Sequence, residues 1–187
     1  ADIVRGVAEG CRQAGMALIG GETAEHPGVM AAGEYDLAGA GTGVVEADQL
    51  LGAERVRPGD VLIGLAASGL HSNGYSLARH VLLGEAGQQA GLALDREVAE
   101  LGRTLGEELL EPTRIYSIDV LALAAALGAE LHALSHITGG GIAANIARVL
   151  PTDLTAEVER GSWQVLPVFE LIGRLGGISQ PELERTF

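Results

Sequence analysis

The sequence predicts an α/β (α+β) fold with mixed sheets flanked by helices. Three observations carry this. Runs with helical apolar spacing alternate with short apolar runs, the short runs end in glycine-rich loops, and a chain of 187 residues that is 47% hydrophobic can bury a core. Residues 2–15 place Ile3, Val4, Val7, Ala8 and Cys11 on one helical face. "MALIGG" (16–21) reads as a buried strand ending in paired glycines, and "EYDLAGAGTGVVE" (34–46) as a second strand followed by a helical turn over Ala47–Leu51. The turn signal Pro58-Gly59-Asp60 precedes the apolar strand "VLIGLAAS", which places a domain boundary near Pro58 and divides the chain into 1–58 and 59–187. Helices are expected at Tyr75–Gly84, Arg96–Leu110 and Arg114–Leu127, the last capped by Thr113. "LHALSHI" (131–137), "GIAANIARVL" (141–150) and "LTAEVE" (154–159) then read as strand, helix and strand around a TGGG turn. Two helical stretches close the chain, around "LPVFELIGRL" and "SQPELERTF", the second opened by Ser179 or Gln180 before Pro181.

Composition narrows the chemistry. A net charge of -13 with no basic stripe argues against binding a nucleic acid backbone. No apolar run reaches the length of a membrane span, because "LALAAALGAELHAL" is interrupted by Gly128, Glu130 and His132. All 12 basic residues are Arg, so neither a Walker-type nor a Schiff-base lysine exists. Phosphate must be held by backbone N–H groups, Arg, a metal, or parts of the protein outside this chain. The single cysteine, Cys11, excludes an internal disulfide, lies on the apolar helical side and suits a buried thiol in a reducing cytoplasm. The N-terminus lacks the pattern of a signal peptide and starts as though inside a helix, so a cut chain is expected.

Three loops concentrate small and polar residues where strands end. In "GGETAEHPG" (20–28) the glycines admit a ligand to the backbone, and Glu22 and Glu25 are oxygen donors of the kind Mg2+ prefers; a turn with solvated glutamates is the alternative. In "SGLHSNGYSL" (68–77), Ser68, Gly69, His71, Ser72, Asn73 and Gly74 lead into a helix whose N-terminal N–H groups suit an anion. The plainer account makes Ser72 or Asn73 an N-cap. In "SHITGGGIAAN" (135–145), Thr138, Gly139, Gly140 and Gly141 open another helix, with His136 just before them. Here Gly139-x-Gly141-x-x-Ala144, with Glu157 and Glu159 about twenty residues on, also satisfies the dinucleotide fingerprint. That reading of an NAD enzyme rests on one motif, and "LHALSHI" is too polar for a first Rossmann strand. Gly39-x-Gly41-x-x-Val44 is rejected because it lacks the third small residue and the following helix. Arg114, in "LEPTRIYS", is a guanidinium near a helix start that can pair with phosphate or carboxylate.

In this order, "GGETAEHPG", "GDVLIGLAASGLHSNGYSL", "EPTRIYS", "HITGGGIAANIARVLP" and "SWQVLPVFE" resemble the phosphoribosylformylglycinamidine cyclo-ligase family, the aminoimidazole ribonucleotide synthetases. The resemblance covers essentially the whole chain. It implies that 1–58 is the latter part of an N-terminal, ATP-binding and dimerising domain and 59–187 most of a C-terminal domain, the piece alone being inactive. It further implies a cytoplasmic homodimer that uses ATP and Mg2+ to close the imidazole ring of formylglycinamidine ribonucleotide, with ADP and phosphate released. Carried over by position, Glu22, Thr23 and Glu25 fall on the ATP side, with Glu22 the candidate metal ligand. Ser68, Gly69, His71, Ser72, Asn73 and Gly74, with Thr138 to Gly141, fall on the substrate and phosphate side. His71 and His136 are the candidates for any catalytic group. His26 stands where the family commonly has Met, which argues against a role for that side chain. The alternatives are a related ATP-dependent enzyme of the thiamine-monophosphate kinase or selenophosphate synthetase type, or a non-catalytic nucleotide-binding piece.

Overall fold

The computed structural model describes residues 1–187. Along the chain the helices are α1 (Asp2–Ala14), α2 (Tyr75–Leu82), α3 (Glu85–Gln89), α4 (Leu105–Leu109), α5 (Ser117–Leu127), α6 (Gly141–Ile146), α7 (Pro167–Gly176) and α8 (Gln180–Thr186). Strands β1 (Glu97–Val98) and β2 (Arg103–Thr104) lie between α3 and α4. The chain divides into two units, Ala1–Leu50 with Ile115–Ala129, and Leu51–Arg114 with Glu130–Phe187.

In the first unit, α1 forms where the apolar spacing requires it. It stops at Gly15, which takes the left-handed conformation (φ 70°) while its N–H donates to the Arg12 carbonyl. Glu9 accepts from Arg12 and Gln13, and the Arg12 hydrogen bond in particular pulls its carboxyl down to about 2. Helix α5 packs on α1, with Ile118 3.5 Å from the position a side chain on Gly15 would occupy. Cys11 is half-buried. No residue of this unit is fully buried.

The second unit holds the core. Ala78, Val81 and Leu82 of α2 meet Val168, Leu171 and Ile172 of α7, with Leu70, Val98, Leu105, Leu109 and Leu183 around them. Each such Val, Leu or Ile side chain stabilises the fold by about 1.5–3 kcal/mol. Phe169 and Phe187 meet as a tilted pair at the edge, ring centroids 5.0 Å apart. His132 ties two segments together: its Nδ1 lies 2.7 Å from Asp60 Oδ2, and its carbonyl accepts from the Gly52 N–H at 3.1 Å.

The chain is mixed α/β, but the expected mixed sheets are replaced by one antiparallel pair, with Glu97 opposite Thr104 and Val98 opposite Arg103. The stretches 16–21, 34–46, 60–68, 131–137 and 154–159 form no strand. Apolar patterning reports that a segment can be buried, whereas a strand exists only by exchanging N–H···O=C bonds with a neighbour. These stretches have no strand beside them, and Ile19 and Val44 are 96% and 98% exposed.

The helix expected over Arg96–Leu110 is instead the β1–β2 hairpin followed by α4. Gly102 turns the chain at φ 69°, and Thr104 and Glu107 form a capping box that starts a new helix. Helix α5 begins at Ser117 rather than behind Thr113, and Tyr116 at its cap position makes no side-chain cap. The backbone at 112–114 is engaged elsewhere, as described next.

Candidate functional site

The loop between Ala66 and Tyr75 carries most of the polar groups expected on the substrate side. The Ser68 N–H donates to His71 Nε2 at 3.1 Å, and the Arg114 N–H reaches the same nitrogen at 3.4 Å. A ring nitrogen that accepts from amides is unprotonated, so His71 is neutral with its proton on Nδ1. Burial first, then the nearby His136 and Arg114, hold the His71 pKa below its usual value. The Ser68 hydroxyl donates to the Pro112 carbonyl at 2.7 Å and accepts from the Arg114 N–H at 3.1 Å, while its oxygen lies 2.9 Å from His71 Nε2. The Arg114 guanidinium donates to the Ala66 carbonyl at 3.0 Å. Loop 66–71 and segment 112–114 are therefore laced together, with Arg114 as the knot. Sequence reading noticed Arg114 but gave it no partner, because the link spans more than forty positions.

Neither Ser72 nor Asn73 caps α2. Gly74 occupies the cap position in the left-handed conformation (φ 83°), and a side chain there would collide with the Phe187 ring. The Ser72 and Asn73 side chains stay exposed at the start of α2. Tyr75 anchors the far end of the loop, its hydroxyl donating to the Leu109 carbonyl at 2.8 Å; burial, then Glu108, raises its pKa.

The TGGG segment is built differently from a bare anion cradle. The Gly140 N–H donates to the Arg185 carbonyl at 2.8 Å, and the Gly141 N–H to the Thr138 carbonyl at 3.0 Å. Gly141 is left-handed (φ 71°), and a side chain on it would strike the Glu184 carbonyl. The Gly140 amide thus serves the contact with α8, while the Gly141 amide closes the turn itself. Asn145, 2% exposed, organises the turn: its Nδ2 donates to the Gly141 and Thr138 carbonyls at 2.8 and 3.1 Å. The Thr138 hydroxyl turns inward to Asn145 Oδ1 at 3.3 Å. Gly139 and His136 are exposed, and His136 lies near enough to His71 to disfavour charge on it. Asn145 had a visible signal, being one of only two Asn in the sequence.

Glu22, Thr23 and Glu25 belong to the first unit and lie exposed in an extended segment. No three acidic, His or Cys side chains come together as a cation site in this chain, so Glu22 and Glu25 do not by themselves make one.

An α/β chain with a Ser68–His71–Arg114 cluster behind an exposed helix start has the parts of a small-anion site, which defines a class and no more. The family comparison is more specific: the chain belongs to the AIR synthase related protein family, matching its N-terminal domain over residues 1–45 and its C-terminal domain over 57–185. Proteins named phosphoribosylformylglycinamidine cyclo-ligase from Sorangium cellulosum and Brevibacillus brevis are each 54% identical to it over 185 residues, 99% of this chain and 52% of theirs. The one from Symbiobacterium thermophilum is also 54% identical, over 186 residues, again 99% of this chain and 52% of its own length. The chain therefore spans about half the length of these relatives.

Proposed function

We propose that the whole protein containing this chain is an ATP-dependent cyclo-ligase of purine biosynthesis that converts formylglycinamidine ribonucleotide to aminoimidazole ribonucleotide, releasing ADP and phosphate. The observation that carries the reading is the 66–74 loop, whose neutral His71 and exposed Ser72 and Asn73 sit at a helix start, within a chain 54% identical to enzymes of that name. In this reading Ser72, Asn73 and the free end of α2 orient the ribonucleotide and its phosphate. His71 is a substrate-side group, and because Nε2 is occupied by amides the ring presents one defined tautomer. His136 lies beside His71 of the same loop. Of the TGGG amides, Gly139's remains for a phosphate, since those of Gly140 and Gly141 have protein partners.

ATP and Mg2+ are proposed as cosubstrate and cation. Glu22, Thr23 and Glu25 are this chain's contribution to that side, and because they do not form a cation cage alone, no step is assigned to the ion. A cytoplasmic homodimer is part of the same proposal. The exposed apolar residues of the first unit offer a surface for a second copy.

The test uses the intact protein with formylglycinamidine ribonucleotide, ATP and Mg2+, following aminoimidazole ribonucleotide and ADP. His71→Ala and Asn73→Ala are expected to lower kcat/KM for the ribonucleotide by about tenfold or more while ATP use is largely kept. Glu22→Gln is expected to impair ATP or Mg2+ use instead. Absence of both products, or three variants with wild-type kinetics, would sink the reading.

A further inference from the structure

Beneath the 66–74 loop lies an ion triad that the function described above does not use. Arg103, at the end of the hairpin, donates through Nε to Glu108 Oε2 at 2.7 Å, with Nη2 2.6 Å from the same oxygen. Its Nη1 donates to Glu111. One planar guanidinium thus bridges two carboxylates, a geometry that lysine cannot reproduce. Glu108 is 6% exposed, and a carboxylate so buried needs a bonded cation. Both acids lie directly under the loop: Glu108 Oε1 and the Glu111 Cβ and Cγ are 3.7–3.8 Å from where a side chain on Gly69 would begin.

Glu111 is followed by Pro112, whose carbonyl takes the Ser68 hydroxyl, and then by Arg114, whose N–H reaches Ser68 Oγ and His71 Nε2. Leu109, between the two acids, holds Tyr75 at the other end of the loop. A purely structural role would be to fasten the hairpin to α4. That fastening already exists, in the Thr104–Glu107 capping box and in the bonds from Leu105 N to Arg96 O (3.1 Å) and from Gly106 N to Leu94 O (2.7 Å).

We propose that Arg103 is a positioning residue for His71: by clamping Glu108 and Glu111 it fixes the 111–114 backbone, whose groups select the orientation and the tautomer of the imidazole. The groups facing the ring include the Ser68 amide and hydroxyl from its own loop, the Arg114 amide and charge from the 112–114 segment, and His136 from the segment before α6. The consequence for turnover rests on the reading of His71 as a substrate-side group; the placement of the ring does not.

The experiment is nitrogen-15 NMR of the intact protein, comparing wild type with Arg103→Ala, Arg103→Lys and Glu111→Gln. In the wild type, His71 Nε2 is expected to carry the signature of an unprotonated acceptor, with the Ser68 and Arg114 amides protected from exchange. In Arg103→Ala the two amides should lose protection by tenfold or more, the ring should sample both tautomers and its titration should move upward, with the distant His80 and His132 signals unmoved. Lysine should restore this only in part, and Glu111→Gln, which keeps shape and leaves Glu108 paired, should show a smaller change of the same kind. Turnover of the ribonucleotide should fall with the ring change, by roughly ten- to a hundredfold in kcat/KM for Arg103→Ala. An unchanged tautomer and unchanged Ser68 and Arg114 protection in both Arg103→Ala and Glu111→Gln overturn the proposal. If the ring changes and yet turnover is normal in these variants and in His71→Ala, the positioning stands and the substrate-side reading of His71 fails.

Discussion

The two units of this chain both carry apolar segments but differ in what those segments do. Every fully buried side chain lies in the unit of Leu51–Arg114 and Glu130–Phe187, while in Ala1–Leu50 and Ile115–Ala129 the apolar residues of α1, α5 and the extended segments all keep contact with solvent. The difference is one of partners. Helices α2 and α7 each present an apolar stripe to the other, and α8 closes the end through Leu183. Helix α5 is apolar nearly all round, and its contact with α1 covers only part of it.

The largest effect that tests this contrast is truncation in the core. Ile172→Ala, at a fully enclosed position, should cost about 2–5 kcal/mol in denaturant unfolding of the 187-residue chain. Leu121→Ala in α5, 67% exposed, should stay within about 0.5 kcal/mol in the same chain. Equal costs at the two sites would erase the distinction between the units.

A smaller effect comes from the close approach of α8 to the TGGG turn. Gly141→Ala forces a side chain into a left-handed residue and against the Glu184 carbonyl, and should destabilise by roughly 1–3 kcal/mol. Gly139→Ala, with open space around it, should cost far less; if the two variants unfold alike, the turn is not held by α8.

The smallest effect is the pH dependence of His71. Its pKa is depressed in the folded chain, so below about 6.5 the unfolded chain takes up a proton that the folded one resists. The contribution of a neutral His71 is therefore complete above about pH 6.5 and declines as pH falls toward the folded-state value. Wild type should lose stability between pH 7 and 5 more steeply than His71→Gln, with unfolding midpoints as the readout. Parallel curves would place the ring in solvent rather than under Ser68 and Arg114.

How much of this was legible in the sequence differs by element. Helices α1, α7 and α8 were placed to within a residue or two, because each has a complete local code: an apolar stripe, a proline at the first turn of α7 and α8, and a glycine after α1 and α7. The 96–110 segment was misread because its apolar spacing fits a helix, and only the turn at Gly102 and the Thr104–Glu107 box show where one element stops and the next begins. Ser68, His71 and Asn73 stand in a sequence motif, whereas Arg103, Glu108 and Glu111 carry no such signal, since charged residues on a presumed helix ordinarily read as a solvated face.

The sequence by itself determined the ends of α1, α7 and α8, the family and the loops rich in polar groups, because prolines, glycines and motif order are local properties of the chain. Only the tertiary structure decided that the Gly140 amide serves α8, that Ser72 and Asn73 are not caps, and that His71 is held neutral from beneath by Arg114 and, through Glu111, Arg103. Those outcomes depend on which distant group reaches a given donor or acceptor first, and periodicity along the chain carries no information about that.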